Sequence, residues 1–169
     1  MPSRARKCLL TDVGAAVVAD CLADLGADAG FVATPSEDGT ILEVARVTPF
    51  AAKPVRIEVP LDAPYPIATT VRSKEPLFIQ SNDDLCHHPG LVRMKSDDHA
   101  CATLPLFGER DQLLGALNLG FEEPRRFSAE DLRVFALLAR HCSRAMAAAL
   151  AARDEVSRRS RPARLRAVG

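Results

Sequence analysis

The chain has no tryptophan and one tyrosine in 169 residues, so its core must be built from aliphatic side chains and seven phenylalanines. It has no surplus charge: 22 Lys and Arg balance 22 Asp and Glu, which gives no electrostatic reason to expect nucleic acid or a membrane as partner. No run approaches the roughly 18 apolar residues that suggest a membrane span. The basic start MPSRARKCLL leads into a segment holding Asp12, Asp20 and Asp24, which is no signal-peptide core. The five cysteines are odd in number and scattered, so no disulfide framework is implied and a reducing cytoplasm fits best. A glycine-rich phosphate loop and strand–helix alternation are both missing, which disfavours a dinucleotide fold. No internal repeat is visible.

What is present describes one soluble domain. Apolar residues make up 47% and charged residues 26%. Residues 1–8 read as an N-terminal extension and 9–153 as the domain. Residues 154–169 read as a disordered basic tail, since six arginines follow from Arg153 without apolar periodicity.

Leu10, Val13, Val17, Cys21 and Leu25 recur at helical spacing, and Gly26 suits the cap that ends that helix. Two β-rich runs flank Asp38-Gly39 as a hairpin, and Val55 to Val59 forms a third strand. Pro66 opens a short helix to about Lys74, and Leu77 to Ile79 is a short strand. From Ser81 to Ala100 periodicity vanishes, then strands at 101–107 and 113–121 make a second hairpin. Ser128 and Asp131 read as a capping box, with Phe127 and Leu132 as its staple, opening a helix of 20 residues or more. Hairpins flanked by terminal helices predict an α+β fold with an antiparallel sheet.

The run ATLPLFGERDQLLGALNLGFEEPRRFSAEDLRVFALLARHCSRAM resembles the C-terminal half of a GAF domain, and PYPIATTVRSKEPLFIQS is similar to the middle of one. The likeness is to GAF domains of actinobacterial signalling proteins, where they sit beside phosphatase or kinase modules; here the expectation is a stand-alone domain. It implies a six-stranded antiparallel sheet, the terminal helices on one face and a loop-covered small-molecule pocket on the other. It also implies a sensor that is not an enzyme and that signals through a separate effector, a kinase, phosphatase or regulator.

Strand alternation divides the second hairpin. Ala102, Leu104, Leu106, Leu117, Leu119 and Phe121 share the face expected under the helices. Cys101, Thr103 and Asn118 share the smaller face expected to line the pocket, joined by Ile79, Leu85, His88 and His99 from the strand before it and the lid. Three of the four histidines and two of the five cysteines fall between Leu85 and Cys101. Cys86-x-His88 and His99-x-Cys101 mirror one another, and on extended backbone each pair would present one sulfur and one nitrogen, the set of a Cys2His2 zinc site. One-residue spacers lie outside the usual spacing, so a polar loop without cofactor is the expectation, with zinc, or haem through His87, His88 or His99, as alternatives.

Two further alternatives come from the same resemblance. One is a thiol enzyme like free methionine-R-sulfoxide reductase, using Cys86 and Cys101. That family's aromatic N-terminal signature is absent. The other is a ligand-free dimerisation scaffold. Cyclic-nucleotide binding lacks its Asn-Lys-Phe-Asp-Glu motif, and a bilin has only Cys86-His87 in its favour. The apolar surface of the terminal helices exceeds what one sheet face covers, which predicts a helix-bundle homodimer with Arg140 and Arg144 on its rim.

Overall fold

The computed structural model describes residues 2–49, 53–88, 90–91 and 99–159. The order is α1 (Pro2–Leu25), β1 (Ala29–Pro35), β2 (Ile41–Val47), β3 (Val55–Pro60), α2 (Pro66–Ser73), β4 (Leu77–Ile79), α3 (Asn82–Cys86), β5 (Ala100–Phe107), a 3-10 turn (Glu109–Asp111), β6 (Leu113–Phe121) and α4 (Ala129–Arg159). The six strands form one antiparallel sheet in the order β3-β2-β1-β6-β5-β4. Every pairing joins strands consecutive in the chain except β1–β6, where Val32 lies opposite Leu117 and the two halves of the chain meet.

The alternation within strands decides what each face carries. Leu104, Leu106, Leu117, Leu119 and Phe121 pack with α1 and α4 in the larger apolar cluster. Phe31, Val44 and Ala116 point the other way and pack with Ile67, Ala68 and Val71 of α2. α1 approaches the sheet closely at Gly14, where a β-carbon would stand 2.8 Å from Val32 Cγ1 and 3.2 Å from Met146 Sδ. The two helices run antiparallel, with the Cys142 thiol donating to the Gly14 carbonyl at 3.8 Å.

The helix ends follow local chemistry. Pro66 stands at the first turn of α2, and Lys74 caps it in left-handed conformation (φ 61), its N–H donating to the Thr70 carbonyl. At α4 the capping box forms with aspartate in place of glutamate: Ser128 N donates to Asp131 Oδ2 at 2.8 Å and Asp131 N donates to Ser128 Oγ at 3.1 Å.

Several expectations need correction. α1 begins at Pro2, so residues read as an extension are helical; Arg, Ala and Lys there are good helix formers. α4 runs 31 residues to Arg159, past the predicted boundary at 153, with Arg159 paired to Glu155 one turn back. The rest of the tail, residues 160–169, and lid residues 89 and 92–98 lie outside the described residues. Leu132 is exposed, while Phe127 meets the rings of Phe78, Phe121 and Phe135. The stretch after Ser81 is not wholly irregular, because Ser81 Oγ accepts from Asp84 N and starts α3. By length and composition α4 is also apolar enough to cross a membrane, contrary to the sequence reading, although one side of it packs against the sheet.

Candidate functional site

The site is assembled where α2 lies across β5 and β6. Thr103 of β5 and Asn118 of β6 stand opposite each other in the ladder, and Asn118 Nδ2 donates to Thr103 Oγ1 at 2.7 Å. Both are buried, 0% and 4% exposed. Cys101 lies two residues before Thr103 on the same side, also buried, and pairs across the ladder with Ile79 of β4.

Thr70 sits on the buried side of α2 with Ile67 and Val71, and is 0% exposed. Among the described residues its Oγ1 has no hydrogen-bond partner. A buried hydroxyl left unpaired costs about 1–3 kcal/mol, so this one needs a reason. Sequence reading passed over it. The available signal was its place on the apolar stripe of the helix, three residues after Ile67 and one before Val71.

Beside α2 a cavity of ≈ 400 Å³ opens toward the lid; its lining includes Asp62, Thr69, Arg72, His87 and His88. Arg72 is held in place by the carbonyls of Leu61 and Ala63 and by Thr69 Oγ1. Sequence analysis named neither Arg72 nor Asp62; both follow prolines in a stretch read only as a turn and a short helix. Of the seven predicted lining residues, His88 alone lines this cavity. Cys101, Thr103, Asn118 and Ile79 are buried in the sheet layer. Leu85 is half-buried in α3. His99 is half-buried, its Nδ1 accepting from Asn82 Nδ2 at 3.2 Å. A larger hollow of ≈ 710 Å³ lies on the opposite face between α4 and β5, its lining including Leu104, Phe107, Ala139, Arg140 and Arg144.

The four predicted zinc ligands do not converge. Among the described residues no three His, Cys, Asp or Glu side chains are placed to hold a metal ion. The local reason lies in the backbone. Cys86 ends helix α3 and His87 caps it, so Cys86 and His88 are not on extended backbone and do not share a face. Cys101 is buried within β5, whereas Cys86 is exposed.

The other described cysteines are packing groups. Burial pushes the Cys142 thiol up to about 12, with a smaller contribution from Cys21. Burial also raises Cys21, helped by the charges of Asp20 and Asp24. Thiols held protonated in this way are poor nucleophiles.

An antiparallel sheet with paired terminal helices on one side and a single short helix on the other defines an α+β fold. The model of the GAF domain family matches residues 10–147, and the chain belongs to that family. No curated protein matches the sequence. Among solved structures, the chain is similar to the second GAF domain of DevS from Mycobacterium smegmatis, at 24% identity and TM-score 0.64 over 85% of this chain and 96% of that one. It is similar to the GAF domain of a phosphoenolpyruvate-protein phosphotransferase from Coxiella burnetii, at 19% identity and TM-score 0.66 over 88% and 86%. It is also similar to free methionine-R-sulfoxide reductase from Neisseria meningitidis, solved with its substrate, at 17% identity and TM-score 0.65 over 87% of each chain. At these identities the likenesses speak to the fold alone.

Proposed function

We propose that the chain is a cytoplasmic regulatory domain and not an enzyme. It takes a small molecule on the α2 side of the sheet and signals to a separate effector, a kinase, phosphatase or regulator, as a homodimer built on α1 and α4. The observation that carries the reading is the buried Thr70 hydroxyl, without a partner among the described residues, on the helix that crosses the two strands of the Thr103–Asn118 pair. A ligand reaching that layer would satisfy Thr70 and be recognised by the amide of Asn118. Arg72, His87 and His88 at the neighbouring cavity favour a molecule with an anionic or acceptor-rich end. Binding would bias the position of α2, which rests on β5; α4 rests on the same strand. A ligand that prefers one arrangement of these elements shifts the population toward it.

The thiol-enzyme alternative draws less support. It needs two accessible sulfurs near a substrate, and of Cys86 and Cys101 only Cys86 is exposed.

Native mass spectrometry of the protein as purified, beside a denatured sample, tests the reading. A small-molecule mass lost on denaturation, and absent from an Asn118→Leu variant that circular dichroism shows to be folded, is the expected result. A bare protein that no metabolite in a thermal-shift screen stabilises would overturn it and favour a dimerisation scaffold.

A further inference from the structure

Strand β4 is three residues long and pairs only with residues 101–103 of β5. The rest of β5, residues 104–107, pairs with β6 on one side and with no strand on the other among the described residues. The hollow of ≈ 710 Å³ lies beside this unpaired stretch, between β5 and α4.

Its lining joins apolar groups to two free cations. Leu104, Phe107 and Ala139 supply apolar surface, and Arg140 and Arg144 stand one turn apart on α4. Among the described residues neither arginine makes an ion pair or a hydrogen bond, although Glu109 lines the same hollow. Ser143 gives a second, independent sign. It lines the hollow and is only 9% exposed. A serine inside a helix can give its hydroxyl to the carbonyl one turn back. Ser143 makes no hydrogen bond among the described residues. A polar side chain so well buried calls for a partner, and the partner must come from the hollow.

We propose that the hollow is a second binding site, on the opposite face of the sheet from α2, for a small amphipathic anion. Its carboxylate or phosphate is held by Arg140, Arg144 and the Ser143 hydroxyl, and its apolar body covers Leu104, Phe107 and Ala139. The volume falls within the range of about 300–1,000 Å³ usual for small-molecule sites. A bare inorganic anion would leave the apolar lining in water. An added peptide strand fits less well, because Pro105, in the middle of the unpaired stretch, has no N–H to donate. The inference depends neither on the ligand proposed for the α2 side nor on the homodimer.

Isothermal titration calorimetry of the full chain with decanoate, decan-1-ol and inorganic phosphate tests it. Decanoate binds. The alcohol has the body without the charge and phosphate the charge without the body, so each binds at least roughly 10-fold more weakly. Arg140→Gln with Arg144→Gln raises the decanoate dissociation constant by roughly 10-fold or more, with the circular dichroism spectrum unchanged. A folded Asn118→Leu variant keeps decanoate binding, which separates this site from the one on the α2 side. Decanoate binding that survives the double arginine variant, or that Asn118→Leu removes, would overturn the site. Phosphate binding as tightly as decanoate would overturn the class of ligand. No decanoate binding at millimolar concentration would overturn the proposal too. If the arginine variant then also weakened self-association in sedimentation velocity, the hollow would belong to a second copy of the chain.

Discussion

The two faces of the sheet are built to different standards. Under α1 and α4 the layer is mostly apolar, its buried Thr11 and Thr34 hydroxyls hydrogen-bonded to each other at 2.8 Å, and it is closed by aromatic contacts: Phe127 meets Phe121 at 5.6 Å and Phe135 at 5.4 Å between ring centroids. Arg125 seals that end by donating to the Leu25 carbonyl at 2.7 Å and to Asp131 at 2.6 Å while lying over the Phe121 ring. Under α2 the layer is smaller, and it holds a buried hydroxyl without a partner among the described residues and a buried amide. One face spends its burial on stability. The other gives up part of it to keep polar groups in a dry place, which is the trade expected where a ligand must be recognised.

The largest effect should come from breaking the closed face. Phe135 is fully buried among the rings, so Phe135→Ala should lose about 3–5 kcal/mol in urea unfolding through lost contact and the cavity it leaves. A loss under about 1 kcal/mol would mean the two faces do not differ in the way described.

A smaller change of opposite sign should come from the α2 face. Thr70→Val keeps the shape and removes the unpaired hydroxyl, so the ligand-free protein should gain about 1 kcal/mol. The same variant should bind ligand more weakly, since the group it lacks is the one a ligand would satisfy. Stabilisation without any effect on binding would mark Thr70 as a packing imperfection. Destabilisation would show that the hydroxyl is already paired.

These two faces also differ in how far the sequence reveals them. The helix face could be read from periodicity, because Leu104, Leu106, Leu117, Leu119 and Phe121 alternate and the α4 stripe recurs at helical spacing. The same alternation placed Thr103 and Asn118 on the opposite side. What it could not supply was distance. The Asn118–Thr103 bond depends on a register, Arg72 gains its meaning from turn carbonyls, and α3 depends on one serine hydroxyl meeting one backbone N–H. The zinc reading failed at the same step, since spacing in sequence predicts a shared face only if the backbone is extended, and at Cys86 it is helical. Arg125 passed unnoticed because its three partners come from three separate elements.

The smallest expected effect concerns how the closed face is tied at its end, and it is read through pH. The Asp131 carboxyl is held below its ordinary 3.8, first by the backbone N–H and then by the hydroxyl of Ser128, with Arg125 contributing less. A carboxylate whose folded value is depressed adds stability that is fully present above its unfolded value. That stability drains away as pH falls through the folded one. Asp131 therefore helps the fold at neutral pH and ceases to do so only below about pH 4. Asp131→Asn keeps the shape of the cap and removes the charge, so the variant should be slightly less stable at pH 7 and should converge with wild type at low pH. Thermal melts of both proteins from pH 7 downward measure this directly. The group is close to solvent, where screening keeps such contributions small, so the gap at pH 7 should stay below the effect of Thr70→Val. A gap that persists unchanged into acid would mean the cap works through shape alone. The charge–hydrogen-bond network around Ser128 and Arg125 would then add nothing to the closed face beyond what Phe127 and Phe135 already provide.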